Sequence, residues 1–272
     1  MANKTVLISG ASSGIGLATA VYFQQRGWNV AASMRSPQQS GPLSGLPRVL
    51  CPALDVTDST SIAVAVGQVL DVFGSLDVLV NNAGYGLSGP FEGASDEQIR
   101  HHFETNVFGV MALTKAVLPH FRQRRQGTIV NVASMGGQLA FPLYSVYHGT
   151  KWAVEGFSES LHFELSALGI RVKLVEPGIV KTDFYGRSGV STADQAPEDY
   201  APFVAKAVQG FQRQLIKGID AAQVAKAIFR AGSDSSDRMR YSVGSDAKGL
   251  LMIRRLFGDV RYLRLVKRLI VR

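Results

Sequence analysis

Short runs of apolar residues alternate with longer segments of mixed polarity through the first two thirds of the chain. The apolar runs predict strands at residues 4–9, 28–34, 48–54, 76–80, 127–133 and 171–175. The segments between them carry helix start and stop signals, and they predict helices that end near residues 26, 73, 124 and 168. Regular alternation of strand and helix predicts an α/β fold, a doubly wound parallel sheet of about seven strands with helices on both faces. We expect one domain over residues 1–272.

The regular pattern ends after Pro177-Gly178. Residues 179–218 mix Gly, Ser, Asp and Pro with aromatic residues, and helical spacing returns at about residues 202–215. A long irregular segment in a compact domain is usually functional, so residues 179–218 are predicted to form a lid or flap over a substrate site. A further helix is expected after Asp220, and a last strand at residues 240–243.

The net charge of +8 is concentrated at the end of the chain. Residues 238–272 carry ten Lys or Arg and two Asp, which accounts for the whole excess and leaves a neutral body. A nucleic-acid-binding domain would carry its basic residues on one face of the folded body, so the pattern argues against that class.

The N-terminal residues and the single cysteine indicate the cellular compartment in which the protein is expected. No signal peptide is recognisable, and no run of 18 apolar residues occurs, so a cytoplasmic protein is expected. Cys51 has no partner for an internal disulfide and is expected to be a buried, inert thiol.

A glycine-rich turn follows the first predicted strand and opens the first helix. Backbone N–H groups at such a helix start can bind a pyrophosphate, and glycine lets the phosphates approach. The spacing is G-x-x-x-G-x-G, and a tight turn without a ligand is the alternative. The sequence therefore predicts a Rossmann-type dinucleotide site that includes Gly10, Ser12, Ser13, Gly14, Ile15 and Gly16.

Tyr147 and Lys151 are four residues apart on a predicted helix and so lie on one face. An ammonium one turn away from a phenol favours the phenolate and lowers the pKa of the phenol. Ser134 ends the preceding strand and can hydrogen-bond the oxygen that gains or loses the proton. Taken alone, the pair could also be an ordinary surface pair on a helix.

Taken together and in order, these residues resemble the short-chain dehydrogenase/reductase family over residues 4 to about 182. A weaker similarity to its 17β-hydroxysteroid and retinol dehydrogenase-like subset rests on the end of the second strand, residues 32–35, and on the layout of the tail. The motifs that carry the family resemblance are Gly10/Gly14/Gly16, Asp55-Val56, Asn81-Asn82-Ala83-Gly84, Asn106, Ser134, Tyr147/Lys151 and Pro177-Gly178.

The resemblance implies roles for the matching residues. Asp55 and Val56 would contact the adenine, and Asn106 would support a water that links Lys151 to solvent. Lys151 would also bind the nicotinamide ribose, beside Tyr147. The remaining cofactor contacts implied are Asn81, Asn82, Ala83 and Gly84 along the adenosine, and Pro177, Gly178, Ile179 and Thr182 at the nicotinamide carboxamide.

The implied reaction is hydride transfer between a nicotinamide and a carbinol or carbonyl carbon, with Tyr147 as general acid or base. The implied assembly is a homodimer or homotetramer in which the helices at 96–124 and 147–168 pair. A catalytically silent cofactor-binding sensor and a membrane-surface interaction protein remain alternatives. No metal site is expected, because the five histidines form no His-x-x-x-His pair and have no Cys partner.

NADP(H) is expected in preference to NAD(H). An NAD site has a carboxylate about 20 residues past the glycines for the ribose 2′-hydroxyl. Here Met34 takes that place, and no Asp or Glu precedes Asp55. Arg35 follows directly and can bind a 2′-phosphate, with Ser13 or Ser36 assisting.

The substrate is expected to be a lipophilic alcohol or ketone, because the residues near the predicted site are apolar or aromatic. Tyr144 has His148, not a lysine, four residues on, so it is assigned to the pocket wall. Several members of the set could instead only pack the core. The predicted wall consists of Leu87, Leu139, Phe141, Leu143, Tyr144, Phe184 and Tyr185.

Residues 245–272 predict a basic amphipathic helix. Its apolar stripe is Val260, Leu263, Val266 and Ile270, widened by Tyr262, Leu265 and Leu269, with arginines on a neighbouring face. Such a helix can lie peripherally on an anionic membrane. Alternatively, the stripe folds back over the substrate cleft or packs against the sheet.

Overall fold

The structure, a computed structural model, describes residues 3–182 and 189–271. Its strands are β1 Thr5–Ile8, β2 Asn29–Ala32, β3 Val49–Leu50, β4 Val78–Asn81, β5 Gly86–Ser88, β6 Gly127–Val132, β7 Ile170–Pro177, β8 Val180–Lys181, β9 Gly189–Ser191, β10 Ile219–Asp220 and β11 Arg240–Val243. Seven of them form one parallel sheet in the order β11-β7-β6-β4-β1-β2-β3. The predicted doubly wound sheet is confirmed.

Helices cover both faces of this sheet. They are α1 Gly14–Gln24, α2 Ser59–Phe73, α3 Asp96–Phe103, α4 Gly109–Arg124, α5 Ser145–Ser166, α6 Ala201–Leu215, α7 Ala221–Ser233 and α8 Ser245–Ile270. Successive side chains of a strand point to opposite faces. In β1, Val6 and Ile8 pack with α1 and α7, whereas Leu7 packs with α2, α4 and α5. Both faces are therefore buried, which explains why the strands are continuously apolar.

Two predicted elements differ in detail. The strand predicted at 48–54 is shorter, because after Leu50 only the bridge between Met34 and Ala53 pairs with β2, and Pro52 has no N–H to donate. The helix predicted at 96–124 contains a π-helical turn at Glu104–Phe108 between α3 and α4. A capping box begins α3: the Ser95 hydroxyl accepts from the N–H of Gln98, and the Gln98 side chain accepts from the N–H of Ser95.

The sheet order places a crevice at the carboxyl ends of β1 and β4. These neighbours lead to helices on opposite faces, and at such a reversal an open α/β sheet binds its ligand. The glycine turn after β1 and the Asn82-Ala83-Gly84 stretch after β4 meet there.

The C-terminal helix α8 is bent at Gly258, whose φ of 73° and ψ of 176° are not helical. Beyond the bend, Tyr262, Val266 and Ile270 are buried together with Met135, while Val260 and Leu263 are exposed. Val266 and Ile270 of the predicted stripe are therefore packed, with Tyr262 beside them, at i, i+4 and i+8, whereas Val260 and Leu263 are not. Among the described helices, none is both long and apolar enough to cross a bilayer.

Candidate active site

A cleft of about 1280 Å³ opens at the carboxyl ends of the parallel strands; we call it the main cleft. It collects most of the predicted cofactor residues, although these come from distant parts of the chain, and it leaves out Asn81 and Ile179. The predicted residues in its wall are Gly10, Ser12, Ser13, Gly14, Ile15, Gly16, Arg35, Asp55, Val56, Asn82, Ala83, Gly84, Tyr147, Lys151, Pro177, Gly178 and Thr182.

The glycine turn is held tightly against the loop after β4. Gly10 has a φ of 68°, and a Cβ on Gly16 would lie 2.2 Å from the carbonyl oxygen of Gly10. The Asn82 amide donates to the carbonyl oxygens of Ser9 and Gly10, at 2.9 and 3.1 Å. No side chain caps the start of α1 and no acidic residue lies in its first turn. The bare helix N-terminus therefore fits the pyrophosphate of a dinucleotide.

The end of the main cleft beside β2 is formed by Met34, Arg35 and Asp55. Arg35 is exposed, and Asp55 accepts from the backbone N–H and the hydroxyl of Thr57, at 2.9 and 2.7 Å. The backbone hydrogen bond from Thr57, with the Arg35 charge as a smaller contribution, holds the pKa of Asp55 below its ordinary value. A carboxylate and a guanidinium thus border this end.

Ser134, Tyr147 and Lys151 meet at the opposite end of the main cleft. Ser134 hydrogen-bonds the Tyr147 phenol and accepts from the N–H of Gly136 at 3.0 Å. The Lys151 Nζ donates to the carbonyl oxygen of Val132 at 2.9 Å and lies 5.9 Å from the centroid of the Tyr147 ring. A proton-transfer oxygen, a hydroxyl partner and an ammonium are therefore grouped in one place.

The charge states differ from the prediction. Burial raises the pKa of Tyr147 to about 12, against a lowering contribution from its hydrogen bond with Ser134. Burial lowers the pKa of Lys151 to about 8, opposed by the nearby Glu155 carboxylate. The prediction that Lys151 holds the phenol below its usual pKa is wrong for the polypeptide alone, because burial disfavours the charged forms of both side chains.

Asn106 lies in the π-helical turn and is buried behind the main cleft. Its Oδ1 accepts from the N–H of Tyr85 at 3.1 Å, and its Nδ2 donates to the carbonyl oxygen of Tyr85 at 3.0 Å. Nδ2 also faces His102 and Thr150, each at 3.3 Å. The side chain supports the Tyr85 backbone, and the role of Asn106 in supporting a water stays a prediction.

Asn81 likewise turns away from the main cleft. Its Nδ2 donates to Thr114 at 3.0 Å and to Asn131 at 2.8 Å beneath the sheet end. The prediction that it borders the adenosine is replaced by the alternative of buried packing. Ile179 also departs from its prediction: it lies outside the main cleft wall, where Val180 takes its place. Its N–H donates to Asp246 at 2.8 Å.

Beyond Tyr147 and Ser134 lies a smaller hollow with an aromatic wall, which we call the side pocket. Phe141, Tyr144, His148, Ile179 and Phe211 line it. Leu87 faces the main cleft, and Leu143 packs in the cluster around α8.

Leu139 is 0% exposed and packs with the same cluster, so the prediction that it contacts substrate is wrong. The predicted contacts Phe184 and Tyr185 lie outside the described residues.

His148 organises the loop that carries Ser134, a role that the sequence did not indicate. Its Nδ1 pairs with the carbonyl oxygen of Gly136 at 2.9 Å, and its Nε2 accepts from the N–H of Phe141 at 3.0 Å. This fixes the tautomer as Nδ1–H. Burial lowers the pKa of His148 to about 4, so the ring remains neutral near neutral pH.

A buried ionic cluster joins three segments of the site from behind. Arg240 binds Glu155 at 2.8 Å, Glu159 at 2.8 Å and Glu176 at 3.0 Å. Gln138 donates to Glu176 at 2.6 Å, which ties the Ser134 loop to the end of β7. Burial and the Glu176 charge raise the pKa of Glu155 to about 7, although Arg240 opposes them. The cluster therefore connects the helix of Tyr147 and Lys151 to the loop of Ser134.

The remaining candidate groups are the single cysteine and the side chains that could bind a metal. Cys51 is half-buried rather than buried, and burial raises the pKa of its thiol, which suits an unreactive side chain. Within residues 3–182 and 189–271, no three His, Cys, Asp or Glu side chains are grouped so that they could hold a metal ion.

Comparisons with known proteins identify the family that the sequence motifs resemble. The profile of the short chain dehydrogenase family matches residues 4–190. The chain is 36% identical over 244 residues to a 3-ketodihydrosphingosine reductase of Bacteroides thetaiotaomicron, covering 90% of this chain and 89% of that protein. It is 45% identical over 205 residues to retinol dehydrogenase 8 of Bos taurus, covering 71% and 65%.

Solved structures agree in fold. A short-chain dehydrogenase from Streptomyces avermitilis is similar with a TM-score of 0.83 and 36% identity, over 98% of this chain and 96% of that one. ElxO, solved with NADP, has a TM-score of 0.75 at 27% identity, over 91% and 99%. A 3-ketoacyl-(acyl-carrier-protein) reductase from Brucella melitensis, solved with NADH, has a TM-score of 0.75 at 26% identity, over 89% of this chain and 96% of that one. The chain therefore belongs to the short chain dehydrogenase family and is an oxidoreductase that uses a nicotinamide cofactor.

Proposed function

We propose that the protein is an NADP(H)-dependent oxidoreductase that interconverts a lipophilic alcohol and its ketone. The observation that carries the cofactor choice is Arg35, an exposed guanidinium in the wall of the main cleft at the end of β2. Met34 beside it offers no carboxylate to a ribose 2′-hydroxyl and would present no repulsion to a 2′-phosphate. Charge-assisted hydrogen bonds from Arg35 would favour the phosphorylated cofactor.

Specificity constants with NADPH and NADH test this choice. Hydrogen bonds to charged groups contribute about 1.5–3 kcal/mol, so Arg35→Ala is expected to lower kcat/KM for NADPH by about 10- to 100-fold and to leave NADH nearly unchanged. Arg26→Ala is the matched control, because Arg26 lies over the Tyr22 ring on the far side of α1 and carries the same charge. A wild-type preference for NADH, or equal losses with both cofactors, would overturn the assignment.

The polypeptide supplies the proton and the positioning. Tyr147, with its pKa raised to about 12, is protonated near neutral pH and can donate to the oxygen of a carbonyl substrate during reduction. Ser134 orients that oxygen, because its hydroxyl already bonds the phenol. Lys151 places a cation behind Tyr147 and faces the main cleft, where it can hold the ribose hydroxyls. The nicotinamide, when bound, exchanges the hydride with the substrate carbon.

The lipophilic substrate class rests on the aromatic side chains beside Tyr147; the side pocket that they line has a volume of about 40 Å³ and takes only a small apolar group of a substrate. Phe141, Tyr144 and Phe211 give it an aromatic wall directly beside the Tyr147 phenol. The names of two relatives, a 3-ketodihydrosphingosine reductase and a retinol dehydrogenase, point to apolar alcohols or ketones as well. A turnover panel of long-chain ketones, retinoids and steroids beside small polar ketones tests the class. Faster turnover of the polar ketones would contradict it.

A homodimer through α4 and α5 extends the proposal. Phe108, at the end of the π-helical turn that leads into α4, is 52% exposed, and Phe163 on α5 is 77% exposed, an unusual amount for large apolar side chains. Phe163→Glu is expected to shift the species seen by light scattering to a smaller one, whereas Val72→Glu on α2 should not. A wild-type monomer at micromolar concentration would contradict the dimer.

A further inference from the structure

The first half of α8 presents an apolar edge to solvent. Met252 and Leu256 are one helical turn apart and are 60% and 66% exposed, on the side opposite the buried Ala247. Phe257 and Val260, 51% and 62% exposed, flank the bend at Gly258 and continue the edge. Exposed apolar residues scattered singly need no explanation, but four at one bend form a patch. We call these four residues the apolar corner.

Basic side chains adjoin the apolar corner on the second half of the helix. Arg261 stacks over the Phe257 ring at 5.8 Å, so guanidinium and apolar edge are in contact. The two carboxylates of this region are already engaged: Asp259 pairs with Arg254, and Asp246 accepts from Ile179. The outer face is therefore cationic beside the apolar corner, and its exposed basic residues are Arg255, Arg261, Arg264, Lys267 and Arg268.

The inner face of the same helix is fixed to the substrate side of the site. Arg254 donates to the carbonyl oxygen of Gln138 and lies over the rings of Trp152 and Tyr262. The Tyr262 hydroxyl donates to the carbonyl oxygen of Ala140 at 2.9 Å. Both acceptors lie in the loop between Ser134 and Tyr144. Whatever the outer face binds is therefore held rigidly relative to the side pocket.

We propose that the outer face of α8 docks on an anionic phospholipid surface, with the apolar corner inserted between head groups and the arginines over them. An anionic bilayer satisfies both features together, because it offers negative charge at the surface and hydrocarbon beneath. The docking brings the side pocket close to a phase in which lipophilic substrates concentrate. It does not depend on which cofactor or substrate the site uses.

Co-sedimentation of the full chain with phosphatidylcholine vesicles, with and without phosphatidylserine, tests the proposal. We expect binding to the anionic vesicles at low salt, at least tenfold weaker binding at high salt, and little binding to neutral vesicles. Leu256→Ser with Phe257→Ser removes the apolar corner, and Arg261→Glu with Arg264→Glu reverses the charge. Each double variant is expected to weaken binding at least tenfold. Both leave the packed residues Tyr262 and Val266 in place.

Matched controls separate the surface from general effects. Val72→Ser removes a comparably exposed apolar side chain on α2, and Arg122→Glu with Lys226→Glu reverses two exposed charges elsewhere. These controls should bind the vesicles like the wild type. All variants, controls included, should unfold at the same thermal midpoint as the wild type.

Three results would overturn the proposal. The first is no wild-type binding to anionic vesicles. The second is a Leu256→Ser/Phe257→Ser protein that binds fully, which would reduce the effect to diffuse charge attraction. The third is a wild-type dimer that this variant dissociates, which would make a second copy the occupant of the face. Turnover of a water-soluble ketone is measured in parallel, so failure of docking is distinguishable from failure of the enzyme assignment.

Discussion

The two ends of the active-site region are built in different ways. The cofactor end consists of short motifs that each follow a strand, such as Gly10 to Gly16 after β1, and the parallel sheet alone brings them together. The substrate end consists of a loop that side chains of two helices hold: His148 of α5 fixes Gly136 and Phe141, and Tyr262 of α8 fixes Ala140 from 122 residues away. The cofactor end is thus set by the fold, and the substrate end by long-range side-chain contacts.

The largest expected effect tests where these ends meet. Tyr147→Phe removes only the proton-transfer oxygen, so turnover is expected to fall by about 10²–10⁴-fold while cofactor still binds. Steady-state kinetics and cofactor fluorescence measure the two quantities. Tyr144→Phe is the control, because its ring would still line the side pocket, and it should stay active. Unchanged turnover in Tyr147→Phe would contradict Tyr147 as the proton donor, whereas a wild type that binds cofactor but turns over no ketone or alcohol would favour a silent cofactor sensor.

The second prediction concerns a substitution that disturbs only the cofactor end. Gly16→Ala places a Cβ 2.2 Å from the carbonyl oxygen of Gly10, so the turn must shift. We expect cofactor affinity to fall by about tenfold or more and the free energy of unfolding to fall by about 1–3 kcal/mol. Gly156→Ala in α5 meets nothing within 4 Å and should be neutral or stabilising by about 0.5–1 kcal/mol. Equal behaviour of the two variants would contradict the tight turn.

The third prediction concerns the ionic cluster behind both ends. The pKa of Glu155, raised from 4.5 to about 7, means that the folded state binds this proton more tightly than the unfolded state. Its contribution to stability is therefore largest below about pH 4.5 and is lost as pH rises to about 7. Relative to Glu155→Gln, wild-type stability should fall by about 2 kcal/mol across that window in urea titrations. Glu159→Gln, which removes the exposed carboxylate partner of Arg240, is the control for loss of an ion pair from the cluster.

If the stability of the wild type relative to Glu155→Gln rises with pH instead, the attraction of Arg240 for the Glu155 carboxylate outweighs the effect of burial on its pKa. The variant comparison is needed because His148, with its pKa lowered to about 4, gives the reverse trend. Its unfolded form binds a proton that the folded form excludes, so its contribution is lost as pH falls from about 6.5 to about 4.

The smallest expected effect tests the substrate end alone. Tyr262→Phe removes one hydrogen bond to the carbonyl oxygen of Ala140, which contributes about 1 kcal/mol. We expect KM for the ketone to rise by about two- to fivefold, with KM for the cofactor unchanged. If KM for the cofactor rises instead, the two ends are not independent.

This contrast explains what could be predicted from the sequence. The sheet, its helices and the Gly10, Asn82 and Tyr147/Lys151 motifs were predictable, because strand periodicity and parallel packing gather consecutive residues at one edge. The burial of Leu139 and the role of Arg240 were not, because their partners are distant in the chain, and the role of His148 was not, because its bonds to backbone atoms of an irregular loop leave no periodic signal. The exposure of Val260 and Leu263, half of the predicted stripe, was not predictable either, because the non-helical Gly258 changes the direction of the helix after it.

The π-helical turn at Glu104–Phe108 matters to anyone who shortens or grafts this scaffold. It accommodates one residue more than an α-helix would, and each residue of an α-helix advances it by about 100°. Because the wide turn absorbs its extra residue, deleting one residue there would leave α3 and α4 in nearly the same relative orientation, whereas a deletion within either helix would rotate the flanking segments by that angle. Asn106 lies within the turn, so a change in the length of the turn would displace its side chain, and Tyr85 would lose its clamp. Insertions and deletions should therefore be confined to surface loops such as residues 36–47.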